Sequence, residues 1–466
     1  MKTVIVNPLW SFINYPPVNL AELAAYLIKN GFKNTTITDL NFEIKNKFEI
    51  DGILEKSFKI IIKKKPQAVC ITCNAVQMPF VCELSALIKE KTNIPVIIGG
   101  VMASLAPDII LKLSKADFVI RGEGEKTLAE LLTRIKNKEK TDKIDGISYL
   151  SKNGVIVSNK DRKLMNIDGL PSPEFKLISK SLKNSANVWL TASRGCAYKC
   201  KFCSGNEIWK MQRRKNPQSI ANQLKILKTK YGIKKIVFGD DCLTLNKKWL
   251  KELCLKIKPL RLQWGCLARI DSIDADILKY LHEAGCRHIY HGIESGSAKV
   301  RQGLDKKMAK TNEFILDAVK KEIDAGFKTT CSFMTGIPFE TENDMVKTAE
   351  LAGLMKKAGS RIQLWLLTPY YGLKILNEYK NRLVKTERQP AGLQTDVFDR
   401  GQMFLYSAFI KKYSKYNPDN FMFLPKGMTQ SGFIKLFAKM RSDLNIDVDK
   451  KQLTAKEIFI LKNIKQ

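Results

Sequence analysis

The residues best placed to do chemistry lie in Thr191-Ala-Ser-Arg-Gly-Cys-Ala-Tyr-Lys-Cys-Lys-Phe-Cys-Ser204. Cys196, Cys200 and Cys203 form a C-x3-C-x2-C run on a short loop after the apolar segment Val188-Trp-Leu. Three thiolates this close can hold three corners of a 4Fe-4S cube, because iron–sulfur clusters take cysteine ligands. A structural zinc site needs a fourth ligand, and no Cys or His follows until Cys242. A four-iron cluster with three protein ligands keeps one iron open to a further molecule. The alternatives on residues alone are an incomplete zinc knuckle or a chance grouping.

Further polar and glycine-bearing turns follow at intervals: Gly239-Asp240-Asp241, Ala268-Arg269-Ile-Asp271, Gly292-Ile-Glu294-Ser295-Gly296, Gly336-Ile-Pro338-Phe-Glu-Thr341 and Thr368-Pro-Tyr370-Tyr-Gly372. Each comes after a strand-like segment: 235–239, 262–267, 288–293, 329–334 and 362–367, with the cysteine loop after 187–193. The intervening helices open on caps, Asn216-Pro217 as N-cap and N1 and Thr341-Glu-Asn-Asp344 as an approximate capping box. Six β/α repeats fit a partial (β/α)6 barrel, whose ligands gather at the carboxyl ends of the strands.

Upstream, residues 3–137 alternate nearly continuous apolar strands (3–7, 35–38, 68–72, 95–98, 118–120) with helical segments. Such strands are buried on both faces of a parallel sheet, which predicts a doubly wound, flavodoxin-like domain with its ligand outside the strand carboxyl ends. Gly99-Gly100 and Arg121-Gly122-Glu123-Gly124-Glu125 lie at such ends. Cys70 and Cys73 stand at i and i+3 on one strand, so they face opposite sides and read as core thiols. Asn153-Gly154 between 146–150 and 155–158 predicts a type I′ hairpin. The expected division is 1–143, a connector at 144–186, the barrel at 187–375 and a mainly helical extension at 376–466, with amphipathic stretches near 401–414 and 430–442.

The cysteine spacing, with Phe202 before the last Cys, resembles the signature of the radical S-adenosylmethionine (SAM) enzymes. That resemblance implies that Cys196, Cys200 and Cys203 hold a 4Fe-4S cluster whose open iron binds the amino and carboxylate groups of SAM, which is cleaved to a 5′-deoxyadenosyl radical. It further implies that Gly239, Asp240 and Asp241 meet the SAM amino group, that Arg269 belongs to the same site, that Glu294 with Ser295 faces its ribose or carboxylate, and that Gly336 and Pro338 pass near its adenine. Phe339 stands where relatives commonly carry glycine. Residues 1–165, through Pro16-Pro17, Leu20–Leu27, Gly99, Gly100, Gly122, Glu123 and Gly124, resemble the cobalamin-binding domain that precedes many such barrels. The family's Gly-Gly-x-His appears here as Gly99-Gly-Val-Met102, and the three histidines, His282, His288 and His291, all lie in the second region. No histidine of the first domain can then ligate cobalt, and Met102 reads as packing rather than as a thioether ligand. The resemblance, to class B radical SAM methyltransferases, implies cobalamin as a third cofactor and methyl transfer to an unactivated carbon. Ring-forming or rearranging relatives, RNA methylthiotransferases and a non-enzymatic cofactor sensor are the other readings.

Composition sets the remaining bounds. The chain is 44% hydrophobic with no apolar run long enough to span a membrane, which predicts a cytoplasmic globular protein. Eleven cysteines without secretory features favour a reducing compartment, and an open-iron cluster suits a low-oxygen cell. The formal net charge of +33 rests on lysines spread along the chain, with short runs such as 63–65 and 213–215. It is read as AT-rich codon composition, as peripheral membrane or acidic-substrate attraction, or as RNA binding, with nucleic acid the weakest of the three. The expected partners are a small-molecule, lipid or peptide substrate and a reducing protein such as a flavodoxin or ferredoxin.

Overall fold

The computed structural model describes residues 1–9, 15–44, 52–185, 187–308, 310–385 and 421–446. Among these, strands β1 (Thr3–Asn7), β2 (Thr35–Asp39), β3 (Ala68–Thr72), β4 (Val96–Gly99) and β5 (Phe118–Ile120) form a parallel sheet in the order β2-β1-β3-β4-β5. Alternate residues feed two cores: Ile5, Ile37, Cys70 and Ile97 on one face, Val4, Val6, Val69, Ile71, Val96 and Ile98 on the other. The continuous apolar runs of the sequence are thus explained by helices on both faces. Cys70 and Cys73 fall in opposite cores as their spacing predicts.

The hairpin β6 (Ile147–Leu150) and β7 (Ile156–Ser158) is not a free connector. Its first strand pairs antiparallel with β5, extending the sheet to seven strands. The turn also differs from expectation: only Gly154 has positive φ (73°), its amide donates to the Ser151 carbonyl at 2.9 Å, and Ser151 donates to Val155 at 2.8 Å. A type I′ turn needs both central residues left-handed, so a single glycine gives a longer, bulged loop instead.

The second sheet is wholly parallel and follows the chain: β8 (Val188–Leu190), β11 (Lys235–Phe238), β12 (Gln263–Ala268), β13 (Cys286–Glu294), β14 (Lys328–Thr335) and β15 (Arg361–Leu366). Two short strands, β9 (Ser193–Arg194) and β10 (Arg213–Arg214), pair beside the cysteine loop. The expected caps form. Asn216 accepts from the Gln218 amide, and Thr341 with Asp344 makes a reciprocal capping box. Beyond β15, β16 (Leu383–Lys385) pairs with β17 (Phe421–Phe423), and the helix Gln430–Asp443 packs Phe433, Phe437 and Met440 into the core behind β14 and β15. The predicted stretch at 401–414, with Phe404 and Tyr406, lies outside the described residues. No described helix is long and apolar enough to cross a membrane.

Two interactions fix the sheets relative to each other. A single core runs from the helix Val18–Lys29 through Phe175, Ile178 and Leu182 to Val188, Leu190, Phe238 and Trp264. A buried ion network then bridges the strand-end faces. Arg194 binds Glu22 (3.1 Å), Glu123 (2.9 Å) and Glu125 (2.5 Å), Arg213 binds Glu123 (2.9 Å), and Lys215 binds Glu22. Burial alone would lower the Arg194 pKa, but the Glu125 and Glu22 carboxylates outweigh it and hold the guanidinium charged. Removing one member of a buried pair strands the others, at a cost of about 3–5 kcal/mol. Arg194→Met is therefore expected to lower the thermal unfolding midpoint by several degrees. Lys258→Ala, which breaks the exposed 2.9 Å pair with Glu283, should cost less than about 1 kcal/mol; equal effects of the two would contradict the assignment.

Candidate active site

The cysteine loop is held by its backbone. Gly195 has φ 83°, and a Cβ there would lie 2.3 Å from the Met211 carbonyl oxygen, so only glycine fits immediately before Cys196. The Lys201 amide donates to Leu304 (3.0 Å), the Ile375 amide donates to Lys201 (3.2 Å), and Cys203 donates to Cys200 (3.1 Å). Phe202 packs on the cluster of Val300, Leu304 and Ile337, anchoring the loop beneath. Of the eleven cysteines, Cys196, Cys200 and Cys203 are partly exposed and the other eight are buried. Burial pushes Cys70, Cys82, Cys254 and Cys331 up to about 12, fixing them as neutral thiols. Cys73 and Cys82 lie in one core and Cys70 in the other, so no second cluster site forms on the first sheet. Among the described residues no three Cys, His, Asp or Glu converge as a single metal ion requires. A cube held at its corners needs three separate thiols with access to it, and the three partly exposed cysteines all lie on this one loop.

The turns at the strand ends surround this loop. The Arg269 guanidinium lies 3.6 Å from the Tyr198 ring centroid, is paired twice with Asp271 (2.9 and 2.8 Å), and donates to the Lys306 carbonyl at 2.8 Å. Glu294, a non-glycine residue at φ 73°, pairs with Lys306 at 2.7 Å. A Cβ at Gly292 would fall 2.3 Å from the Glu294 carboxylate, so that glycine makes room for it. A side chain held left-handed costs about 1–3 kcal/mol and is a common mark of functional turns. Asp241 opens onto the cavity beside the loop, with its carboxylate 3.0 Å from where a Cβ at Gly205 would stand.

Three sequence-predicted residues are placed differently. Asp240 is 1% exposed and accepts from the Ala192 and Ser193 amides and the Ser193 hydroxyl. It ties β11 to the cysteine-loop entry and does not face a ligand. Burial pushes its pKa up to about 6. Ser295 is fully buried against Thr348 at 3.0 Å and accepts from Ser297, so it shapes the turn rather than meeting a ligand. Glu123 lines the cavity, but its carboxylate is engaged by Arg194 and Arg213. Burial would raise its pKa, and those two arginines bring it below the usual value.

Glu340, which the sequence reading did not single out, organises the fifth turn. Its Oε1 accepts from the amides of Gly336 (2.6 Å) and Ile337 (3.0 Å) and from the Thr335 hydroxyl (2.8 Å). Gly336 has φ 79°, and Pro338 is buried beside it. Phe339 does not distort the turn: its ring lies over Gly303, where a Cβ would come within 2.5 Å. A carboxylate four residues after a glycine that closes a strand was the available signal. The pairs Trp189–Tyr15, with ring centroids 5.5 Å apart, and Glu294–Lys306 were likewise invisible without the fold.

A cavity of about 550 Å³ opens between the two sets of strand ends. One wall carries Thr72, Gly99, Gly100, Gly122 and Gly124, the other Trp189, Arg194, Gly239 and Asp241. Gly100 (φ 103°) is obligatory, since a Cβ would meet the Cys73 carbonyl oxygen at 2.7 Å. Gly122 has nothing within 4 Å of its virtual Cβ, leaving bare backbone towards open space. A glycine-edged wall facing an aromatic one fits a large flat cofactor such as a corrin. Met102 is 1% exposed within the second core and does not line the cavity. His291 is buried against Glu322 at 2.9 Å, and His288 bonds Thr330 at 2.8 Å; none of the three histidines lines the cavity.

Two outcomes follow. Cys196→Ala, Cys200→Ala and Cys203→Ala should each abolish the visible absorbance of a reconstituted 4Fe-4S cluster, whereas Cys254→Ala should keep it; loss in the last variant would contradict the loop assignment. Burial raises Glu340 to about 7, so the stability it contributes is full below its unfolded pKa near 4.5 and falls as pH rises through 7. The neutral variant Glu340→Gln should therefore gain on the natural chain between pH 5 and pH 8, by up to about 3 kcal/mol, read as the difference of their unfolding midpoints at each pH.

Comparison with known proteins agrees with this geometry. Residues 190–352 match the model of the radical SAM superfamily and residues 13–132 that of the B12 binding domain. The chain is 32% identical over 340 residues to a Pyrococcus horikoshii protein named uncharacterized methyltransferase PH0819, covering 70% of this chain and 73% of that one. It is 24% identical to the anaerobic magnesium-protoporphyrin IX monomethyl ester cyclase of Rubrivivax gelatinosus over 73% of this chain and 62% of the cyclase. In fold it is similar to the radical SAM methyltransferase TsrM of Kitasatospora setae (TM-score 0.73, 18% identity, 97% of this chain and 89% of that one). It is also similar to the cobalamin-dependent radical enzyme OxsB (TM-score 0.69, 17% identity, 99% and 75%). By these matches the chain belongs to the radical SAM superfamily, in its cobalamin-binding methyltransferase branch, whose cofactors are a 4Fe-4S cluster, SAM and cobalamin.

Proposed function

We propose that this chain methylates an unactivated carbon of its substrate, in a reducing and oxygen-poor cell interior, drawing its electron from a flavodoxin- or ferredoxin-type protein. The observation that carries this reading is the shared chamber: the glycine-edged strand ends of the first sheet and the ends of β8 and β11 in the second, at Thr191, Ser193, Arg194, Gly239 and Asp241, open on one cavity, and the cysteine loop leaves from this edge two residues after Arg194. When bound, the cluster with SAM supplies a radical that removes hydrogen from carbon, and cobalamin supplies the methyl group. The chain's part is to hold and orient. Cys196, Cys200 and Cys203 serve as cluster ligands, with Gly195 and the Lys201 backbone bonds fixing their loop. Asp241 offers a carboxylate to the SAM ammonium, while Arg269 and the Glu294–Lys306 pair present fixed charge to its polar groups. The Glu340-braced turn at Gly336 and Pro338 provides a backbone edge for a base. Gly99, Gly100, Gly122 and Gly124 let a corrin approach the first sheet, and Trp189 with Tyr15 closes the opposite side against water.

The test uses anaerobic, cluster-reconstituted protein given SAM and a strong reductant, with and without cobalamin. Formation of both 5′-deoxyadenosine and S-adenosylhomocysteine, the second dependent on cobalamin, is the expected result. Deoxyadenosine alone would replace methyl transfer by the ring-forming chemistry after which the cyclase relatives are named. Neither product from protein shown to hold a cluster would overturn the catalytic reading.

A further inference from the structure

A second cavity, of about 370 Å³, lies beside the chamber and shares Ser104, Gly122, Glu123 and Ile208 with it. The two cavities therefore border each other at these residues. Its wall also includes Glu207 and Ile208 of the helix Ser204–Trp209, which begins directly after Cys203.

The charge balance of this side cavity is positive. Arg121, Lys126, Arg162, Lys163 and Lys210 line it against Glu123, Asp161 and Glu207. Glu123 is neutralised from the chamber side by Arg194 and Arg213. Asp161 serves Arg121 at 2.8 Å and Lys210 at 3.8 Å, and Arg162 is paired with Glu130, which lies outside the cavity. Lys126 and Lys163 have no partner among the described residues. The lysine excess of the whole chain is spread over its surface, but here two lysines without an ion pair line one concave site that borders the reaction chamber, against Glu207 as the single carboxylate there without one among the described residues. Such a site concentrates anions, and ammonium groups bind phosphate as point charges.

We infer that the side cavity seats a phosphate-class anionic group of the substrate, with Lys126 and Lys163 as its counter-charges. This rests on the chamber being the reaction site. The group would lie away from the reacting carbon and fix which end of the substrate enters the chamber. Cobalamin also carries a phosphate, so the test must separate cofactor from substrate.

The double variant Lys126→Ala/Lys163→Ala is compared with Lys225→Ala/Lys230→Ala, which removes the same charge from the exposed side of the helix Pro217–Tyr231. Both alter exposed side chains, so both should fold. Binding of inorganic pyrophosphate to the cobalamin-loaded enzyme is measured by calorimetry at about 0.15 M salt, where distant surface charges are screened. The expected result is one site in the natural chain and in the control, weakened on the order of tenfold or more in the cavity variant, with cobalamin content equal in all three. Equal pyrophosphate affinity in the two variants overturns the proposal. So does loss of cobalamin from the cavity variant, which would give the site to the cofactor's own phosphate. The natural chain's SAM cleavage, measured separately, decides the reaction without bearing on this comparison.

Discussion

Arg194 is the point on which the rest of the site depends. It stands one residue before the obligatory Gly195 and two before Cys196, and it is bound to three carboxylates of the first sheet's side. The same contact therefore sets the position of the cysteine loop and the orientation of one module against the other. Six charges meet there in balance, Glu22, Glu125 and Lys215 buried and Glu123, Arg194 and Arg213 largely so. Desolvating them costs several kcal/mol per ion, and their attraction offsets that cost only while every partner is in place. Such a network adds little net stability but penalises any other docking of the two halves. Apolar packing of Phe175, Leu182, Val188 and Phe238 supplies the adhesion, and the charges supply the register.

Given that register, the chemistry follows from where parallel sheets leave room. Loops at strand carboxyl ends carry the side chains while strands and helices stay rigid. Both sheets turn this edge towards a common space, and each uses glycine where backbone must approach closely: Gly100 against Cys73, Gly195 against Met211, Gly292 against Glu294. The polar groups left around the loop are mutually braced, as in Arg269 with Asp271 and Tyr198, and Glu294 with Lys306. A preorganised set of this kind needs little rearrangement when a charged cofactor arrives.

Much of this was legible in the sequence, for local reasons. Continuous apolar runs gave all eleven parallel strands to within a few residues. Asn216-Pro217 and Thr341–Asp344 gave helix starts because capping is a contact between near neighbours. The cysteine spacing gave the loop. What could not be read depended on contacts between distant residues. Asp240 and Asp241 look alike in sequence, yet one caps the backbone of Ala192 and Ser193 while the other opens to the cavity. Ser295 sits in a site-like motif but meets Thr348, 53 residues away. Arg194 finds Glu22 across 172 residues. The hairpin turn failed for a subtler reason: Asn-Gly permits two left-handed residues but does not compel both.

If cluster and corrin share one chamber, their unpaired electrons must interact, which magnetic resonance detects. Enzyme loaded with cobalamin and reconstituted cluster is partly reduced so that cob(II)alamin and the reduced cluster are both paramagnetic. The cob(II)alamin signal should then be broadened and relax faster than in the Cys200→Ala protein, which lacks the second spin. A cobalamin signal identical in the two proteins, with the cluster shown to be present and reduced in one, would place the cofactors too far apart to share a substrate and would rule out a common chamber.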